Sequence, residues 1–330
     1  MNISIIGDGG WGTALAMVLH ENQHAVRIWG PFEEYIDQIR RTGENTKFLP
    51  GVKLPHGLRW TSDRREATAS ADIVVFAVPS RFFRAVVKSF AADIPKTCPV
   101  VSVTKGLDKD TCHRMTDVAA ELLGRGPIAA LSGPSHAEEV ARGVPTAVTI
   151  ACEDHGVAEQ LQKAFMQPAF RVYTSDDVIG AELGGALKNV VAIAAGVCDG
   201  IGFGDNTKAA LMTRGLAEIG RLGCALGAHP ATFAGLSGMG DLVVTCFSRH
   251  SRNRAVGERL GRGEPIQKIL DSMEQVAEGV WTCATARALA AQQNIPVPIT
   301  DEVYGVIYEG KDPRAAVQAL MTRDPRPERD

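Results

Sequence analysis

One segment near the start of the chain narrows the fold more than any other. Asn2-Ile3-Ser4-Ile5-Ile6 is a β-branched apolar run, Gly7-Asp8-Gly9-Gly10-Trp11-Gly12 follows it, and residues 13–20 then read as a helix. The pattern G-x-G-x-x-G alone is as consistent with an ordinary tight turn. Between a strand and a helix it reads as the phosphate-binding turn of a βαβ unit. Gly7 allows the turn, Gly9 lets a pyrophosphate approach the backbone, and Gly12 permits close helix–strand packing. The helix start then offers amide donors and positive potential to the phosphates. Asp8 is awkward, because it puts a carboxylate into an anion-binding turn; its side chain is expected to point away from the pyrophosphate. An NAD site also carries an acid about 20 residues beyond the glycines, at the end of the second strand. Here that stretch is Trp29-Gly30-Pro31-Phe32-Glu33-Glu34, with its acids displaced a few residues and no arginine directly after the strand. NAD and NADP both stay open, with a lean towards NAD.

Beyond this unit, short apolar runs alternate with helical stretches. Strands are expected at Asn2–Ile6, Ala25–Trp29 and residues 72–78, 99–103, 128–131 and 146–150. Runs that are apolar throughout suit parallel strands covered on both faces. Strand-like runs nearly vanish past Asp176, and residues 181–198 are apolar almost all round, as in a buried helix. The expectation is an α/β protein: an N-terminal Rossmann-like doubly wound sheet over residues 1–178, then an all-helical C-terminal domain over 179–330. The tail, residues 322–330 with Pro325 and Pro327, reads as frayed.

A length of 330 residues agrees with two domains, and 45% apolar content is sufficient for a core. The balance of 35 basic and 38 acidic residues argues against non-specific nucleic-acid or membrane-surface binding. Seven cysteines are scattered without C-x-x-C or the spacing of a zinc site, so neither a disulfide framework nor a metal is expected. The start has no basic leader, and the longest apolar runs fall well below the ~18 residues of a membrane span. A cytoplasmic protein with no membrane span is the expectation.

Three strand ends collect candidate residues where ligands gather in open α/β sheets. Ser80 and Phe82 follow one strand, Phe82 being an apolar wall for a cofactor. Thr104-Lys105-Gly106 follows the next, with Lys105 either an anion or carbonyl ligand or a solvated surface lysine. Gly133-Pro134-Ser135-His136-Ala137-Glu138 follows the third, where Ser135 and Glu138 have the spacing of a helix capping box. In the helical half, Lys188 and Asn189 interrupt an apolar run, and a buried lysine is costly unless paired or functional. Gly184 and Gly185 share its helix face, which predicts room for a small ligand beside it. Burial would lower the lysine pKa, as proton transfer requires. Asp241, in Gly238-Met239-Gly240-Asp241, is a candidate partner or simply a turn residue. Arg249, Arg252 and Arg254 surround Ser251, either a phosphate clamp at a helix start or a solvated basic loop.

Together these motifs resemble the NAD(P)-dependent glycerol-3-phosphate dehydrogenase family over nearly the whole chain. The likeness rests on Gly7 to Gly12, Asn45-Thr46-Lys47-Phe48-Leu49-Pro50, Thr104-Lys105-Gly106-Leu107, Ser132-Gly133-Pro134, Leu187-Lys188-Asn189, Gly202-Phe203-Gly204-Asp205-Asn206, Gly240-Asp241-Leu242 and Arg252-Asn253. Asp8 departs from the small residue usual at its position. The resemblance implies interconversion of dihydroxyacetone phosphate and sn-glycerol 3-phosphate with NAD or NADP, supplying glycerophospholipids, by a protein that is commonly a homodimer. It implies catalytic roles for Lys188, Lys105 and Asp241, with Gly133, Ser135, Ser251, Arg252 and Asn253 holding the substrate. Cofactor contacts would come from Gly7, Gly9, Gly10, Trp11, Gly12, Phe32, Phe82, Lys105, Ala137, Arg252, Val276 and Glu278. Two other readings keep the architecture: a dehydrogenase of 3-hydroxy acids, and a dinucleotide-sensing regulator, which would need no buried lysine.

Overall fold

The structure is a computed structural model and describes residues 1–325, 327 and 328. Eight strands form one sheet: β1 (Asn2–Ile6), β2 (Ala25–Trp29), β3 (Arg59–Thr61), β4 (Ile73–Phe76), β5 (Val100–Ser102), β6 (Ala129–Ser132), β7 (Thr146–Ala151) and β8 (Phe170–Ser175). Their order is β3-β2-β1-β4-β5-β6-β7-β8. Alternate residues supply two cores. Ile3, Ile5, Ile73 and Val75 pack on one face, while Ile6, Val74 and Phe76 pack with Phe83 and Phe90 on the other. Both faces are covered, as in a doubly wound sheet.

Two features depart from the sequence expectation. The sheet is mixed, because β7 pairs antiparallel with β6, Leu131 opposite Ile150. An unbroken apolar run reports burial on two faces and carries no direction. Strands β3 and β8 were also unexpected: β3 has three residues, and β8 is an edge strand that buries Phe170 and Val172 while exposing Arg171 and Tyr173. The strands end at Ser175, and every described element from Val178 onward is helical. The frayed-tail expectation falls partly outside the described residues, at Arg326, Arg329 and Asp330; within it, the last helix closes at Met321.

The central element of the second half is helix Val178–Ile201, started by the Asp177 carboxylate accepting from Gly180 N at 2.8 Å. By length and composition it reaches what a bilayer span requires, beyond the short runs noted in the sequence; however, 89% of its most apolar window is buried within the protein, as in a core helix. It packs against helix Arg252–Gly261 at very short range. A Cβ on Gly196 would collide with the Arg254 carbonyl, and one on Gly257 with that of Ile193. This close crossing brings Asn253 against Asn189.

Candidate active site

The glycine turn has the shape its spacing predicts. Gly7 sits at φ +126°, and a Cβ there would lie 2.5 Å from the Ala77 carbonyl oxygen. A Cβ on Gly12 would strike the Gly7 carbonyl, so this glycine sets how closely helix Gly10–Glu21 approaches the sheet. In front of Gly9 nothing lies within 4 Å. No side chain caps the helix, which leaves its first N–H groups open to a ligand. Buried Asn45 fixes the turn by donating to the Asp8 carbonyl and to Thr13 Oγ1, both at 2.7 Å. Such an open cradle of amides fits a dinucleotide pyrophosphate.

The other expected cofactor residues come from several elements. Phe32 and Phe82 are exposed, and Arg81 stacks on the Phe82 ring. Ala137 lies against Gly10. The Trp11 ring packs towards Phe170, with its indole Nε1 buried and, among the described residues, unpartnered. Glu278, at the start of helix Glu278–Gln292, accepts from Ser80 N at 2.9 Å and Ser80 Oγ at 2.5 Å. This contact joins the two halves. Burial pushes the Glu278 carboxyl up, with the Ser80 hydrogen bonds working the other way.

Lys188 is buried and donates to Asp241 Oδ1 and, at 2.7 Å, to Thr245 Oγ1. Asp241 opens helix Asp241–Phe247 directly after a π-helical turn, Leu236–Gly240. Its other oxygen accepts from Lys105 Nζ at 2.8 Å. Lys105 also donates to the Gly133 carbonyl at 2.8 Å and to Ser135 Oγ at 3.3 Å. One carboxylate is therefore shared by two ammonium groups. Burial lowers the Lys188 pKa to about 7; Asp241 opposes this and Lys105 adds to it. Burial acts to raise the Asp241 pKa, but the two cations outweigh it and hold the carboxyl below its ordinary value. The site thus favours a charged carboxylate beside a lysine that titrates near neutrality. His136 stands close by, its Nε2 buried without a partner, its pKa pushed down by burial and then by Lys188 and Lys105.

Two local expectations fail. Ser135 and Glu138 form no capping box: the short helix Ala137–Val140 starts after His136 with no side-chain cap, and Ser135 Oγ donates to the Gly133 carbonyl. Lys105 and the Gly133 turn pull that hydroxyl into the site instead. Nor do Gly184 and Gly185 leave room for a ligand. A Cβ on Gly184 would strike the Ser237 carbonyl, and one on Gly185 would lie 2.6 Å from Ser132 Oγ and 3.5 Å from Lys105 Cγ. Their missing side chains let the π-helical turn and the Lys105 segment close onto the helix.

The arginine cluster divides. Ser251 caps its helix, accepting from Arg254 N at 3.2 Å. Arg254 is committed to Asp199 and Glu258. Arg252 is exposed and donates to the Val276 carbonyl at 3.3 Å; crowding by protein lowers its pKa, with Glu138 and Glu278 opposing. Beneath it runs a relay that no spacing announced: Asn189 Nδ2 to the Lys105 carbonyl, Asn253 Nδ2 to Asn189 Oδ1, and Gly279 N to Asn253 Oδ1. Thr245 was also missed, although its place one turn after Asp241 was a usable signal.

The model of the NAD-dependent glycerol-3-phosphate dehydrogenase N-terminus matches residues 2–158, and that of the C-terminus matches 177–318. The glycerol-3-phosphate dehydrogenase [NAD(P)+] of Moorella thermoacetica is 50% identical over 98% of this chain and 96% of its own length. That of Geobacillus kaustophilus is 48% identical over 100% and 96%. The crystal structure of the Coxiella burnetii glycerol-3-phosphate dehydrogenase superposes with a TM-score of 0.94 at 38% identity, covering 98% of this chain and 99% of that one.

Proposed function

The chain belongs to the NAD-dependent glycerol-3-phosphate dehydrogenase family, and from that premise we propose how its own residues carry the reaction. It is an oxidoreductase that uses NAD(P)H to reduce dihydroxyacetone phosphate to glycerol 3-phosphate. A nicotinamide dinucleotide held by the Gly7 to Gly12 turn would supply the hydride for the substrate's central carbon in reduction and take it up in oxidation.

Reduction of a ketone develops negative charge on its oxygen, so a proton donor must reach that atom. An ammonium has three N–H groups. Lys105 spends its three on Gly133, Ser135 and Asp241. Lys188 spends two, on Asp241 and Thr245, and among the described residues its third has no acceptor. This difference carries the assignment. Lys188 is the general acid in reduction and the general base in oxidation, Asp241 holds its Nζ, and Lys105 holds Asp241 while orienting Ser135 and the Gly133 turn towards the substrate. Arg252, with the amides at the Ser251-capped helix start, takes the substrate phosphate, and Asn253 fixes that helix against Asn189. The glycine turn takes the cofactor pyrophosphate, with Phe32 and Phe82 as open apolar walls. Residues 1–178 then form the cofactor half and 179–330 the substrate half. A cytoplasmic homodimer serving glycerophospholipid synthesis belongs to the same reading and rests on the family likeness.

The test is loss of NADH absorbance on adding dihydroxyacetone phosphate, beside unphosphorylated dihydroxyacetone and a 3-keto acid. Rapid turnover confined to the phosphorylated ketone is expected. Turnover of the keto acid alone would move the site to the hydroxy-acid class, and no turnover with any of them would leave a sensor.

A further inference from the structure

Asp8 has no role in the reaction just described, yet its carboxylate is buried with Oδ2 unpartnered. It is turned to the end of β2. A Cβ on Gly30, the residue after that strand, would collide with Asp8 Oδ2 and lie 2.7 Å from its Cγ. The carboxylate therefore occupies the place where a side chain rooted at residue 30 would begin. In dinucleotide sites this place, about 20 residues beyond the glycines, holds the acid that binds the adenosine ribose 2′-hydroxyl. The acids that follow do not fill it: Glu33 is engaged by Arg40 and by the Ser62 hydroxyl, and Glu34 is exposed on the helix surface.

We propose that Asp8 replaces the missing acid at the end of β2, binding the ribose 2′-hydroxyl of NAD(H) and rejecting the 2′-phosphate of NADP(H). The surroundings agree. Oδ2 is shut in against Gly30 and Ile36, so a ribose hydroxyl would donate to the other oxygen, Oδ1, which is not closed off in this way. A phosphate would bring a dianion against a carboxylate in a pocket where, among the described residues, Lys47 is the one cation lowering that carboxyl's pKa. The backbone of Asp8 is held by Asn45, itself fixed by the Tyr35 hydroxyl at 2.6 Å, so the carboxylate is preset and Gly30 is the residue that admits it. Burial pushes the carboxyl up to about 6, against a backbone hydrogen bond and Lys47. The exception to the family's glycine turn thus becomes its specificity residue.

This rests on the cofactor reading of the glycine turn, and the experiment separates the two. Dissociation constants for NADH and NADPH are measured by cofactor fluorescence for wild type, Asp8→Ala, Asp8→Asn and Gly9→Val, with thermal melting to confirm folding. Wild type should bind NADH more tightly than NADPH. Asp8→Ala should weaken NADH by about ten- to a hundredfold, the loss of one charge-assisted hydrogen bond, without weakening NADPH. Asp8→Asn, equal in size and still an acceptor, should keep part of the NADH affinity and lose the bias against NADPH. Equal NADH-to-NADPH ratios in wild type and either folded Asp8 variant, or a wild-type preference for NADPH, would overturn the proposal. Gly9→Val should lose both cofactors; if it binds both normally, the glycine-turn reading fails before Asp8 is at issue.

Discussion

Single residues in this site are set by how many partners the protein already gives them. Arg254 and Arg252 are two positions apart, but Arg254 is spent on Asp199 and Glu258 while, among the described residues, Arg252 holds only the Val276 carbonyl. The free fork of Arg252 is the one suited to a phosphate dianion, whose planar bidentate recognition a lysine would not reproduce. Arg252→Ala should raise the KM for dihydroxyacetone phosphate by about ten- to a hundredfold, change kcat less, and narrow the preference over unphosphorylated dihydroxyacetone. Steady-state kinetics on both ketones decides it; an unchanged preference would place the phosphate elsewhere. Much at this scale was readable from the sequence. A lysine in the middle of an apolar run has to be paired or functional, and Lys188 is buried as that argument requires. What could not be read was sharing. No spacing shows that one carboxylate serves Lys105 and Lys188, that Asn189 and Asn253 are bonded, or that Asp8 turns to Gly30, because each joins segments far apart in the chain.

Elements in the helical half depend on buried acids at their ends. Glu218 receives Ile299 N at 2.8 Å, Thr300 N at 3.0 Å and Thr300 Oγ1 at 2.8 Å, closing the start of helix Pro298–Tyr308 from a different helix. Burial raises the Glu218 carboxyl pKa against the pull of these donors. Glu218→Ala would strand two buried N–H groups and should cost about 2–4 kcal/mol, with Glu218→Gln costing less because it keeps an acceptor. Urea unfolding measures it, and a loss below about 0.5 kcal/mol for Glu218→Ala would contradict this account of the helix start. The existence of most strands and of the long buried helix followed from apolar runs alone. Strand direction did not, since a short β-branched run such as β7 reads the same whichever way it pairs. Edge strand β8 was hidden because Arg171 and Tyr173 face solvent and interrupt its apolar run.

Across the whole molecule, the charged groups of the proposed site come from both halves and meet on one carboxylate. Lys105 and Gly133 arrive from strand ends, Lys188 and Asp241 from helices, and Ser80 with Glu278 ties the halves beside them. The family likeness reaches both halves, so the joint between them belongs to the enzyme rather than to either part. The site's pH dependence belongs to this scale too. Lys188 titrates near 7 because burial and a cation from the other half disfavour its charge. Oxidation of glycerol 3-phosphate requires the neutral amine and should accelerate as pH rises through that region; reduction requires the ammonium and should slow over the same range.

The most direct test of the central claim is therefore the pH–rate profile of Lys188→Met in both directions, set beside wild type and beside NADH binding. The account predicts turnover lower by about 10²–10⁴-fold, loss of the transition near neutral pH, and nearly unchanged cofactor affinity. Wild-type turnover with the same pH dependence in Lys188→Met would contradict it and pass the proton to Lys105 or to another group.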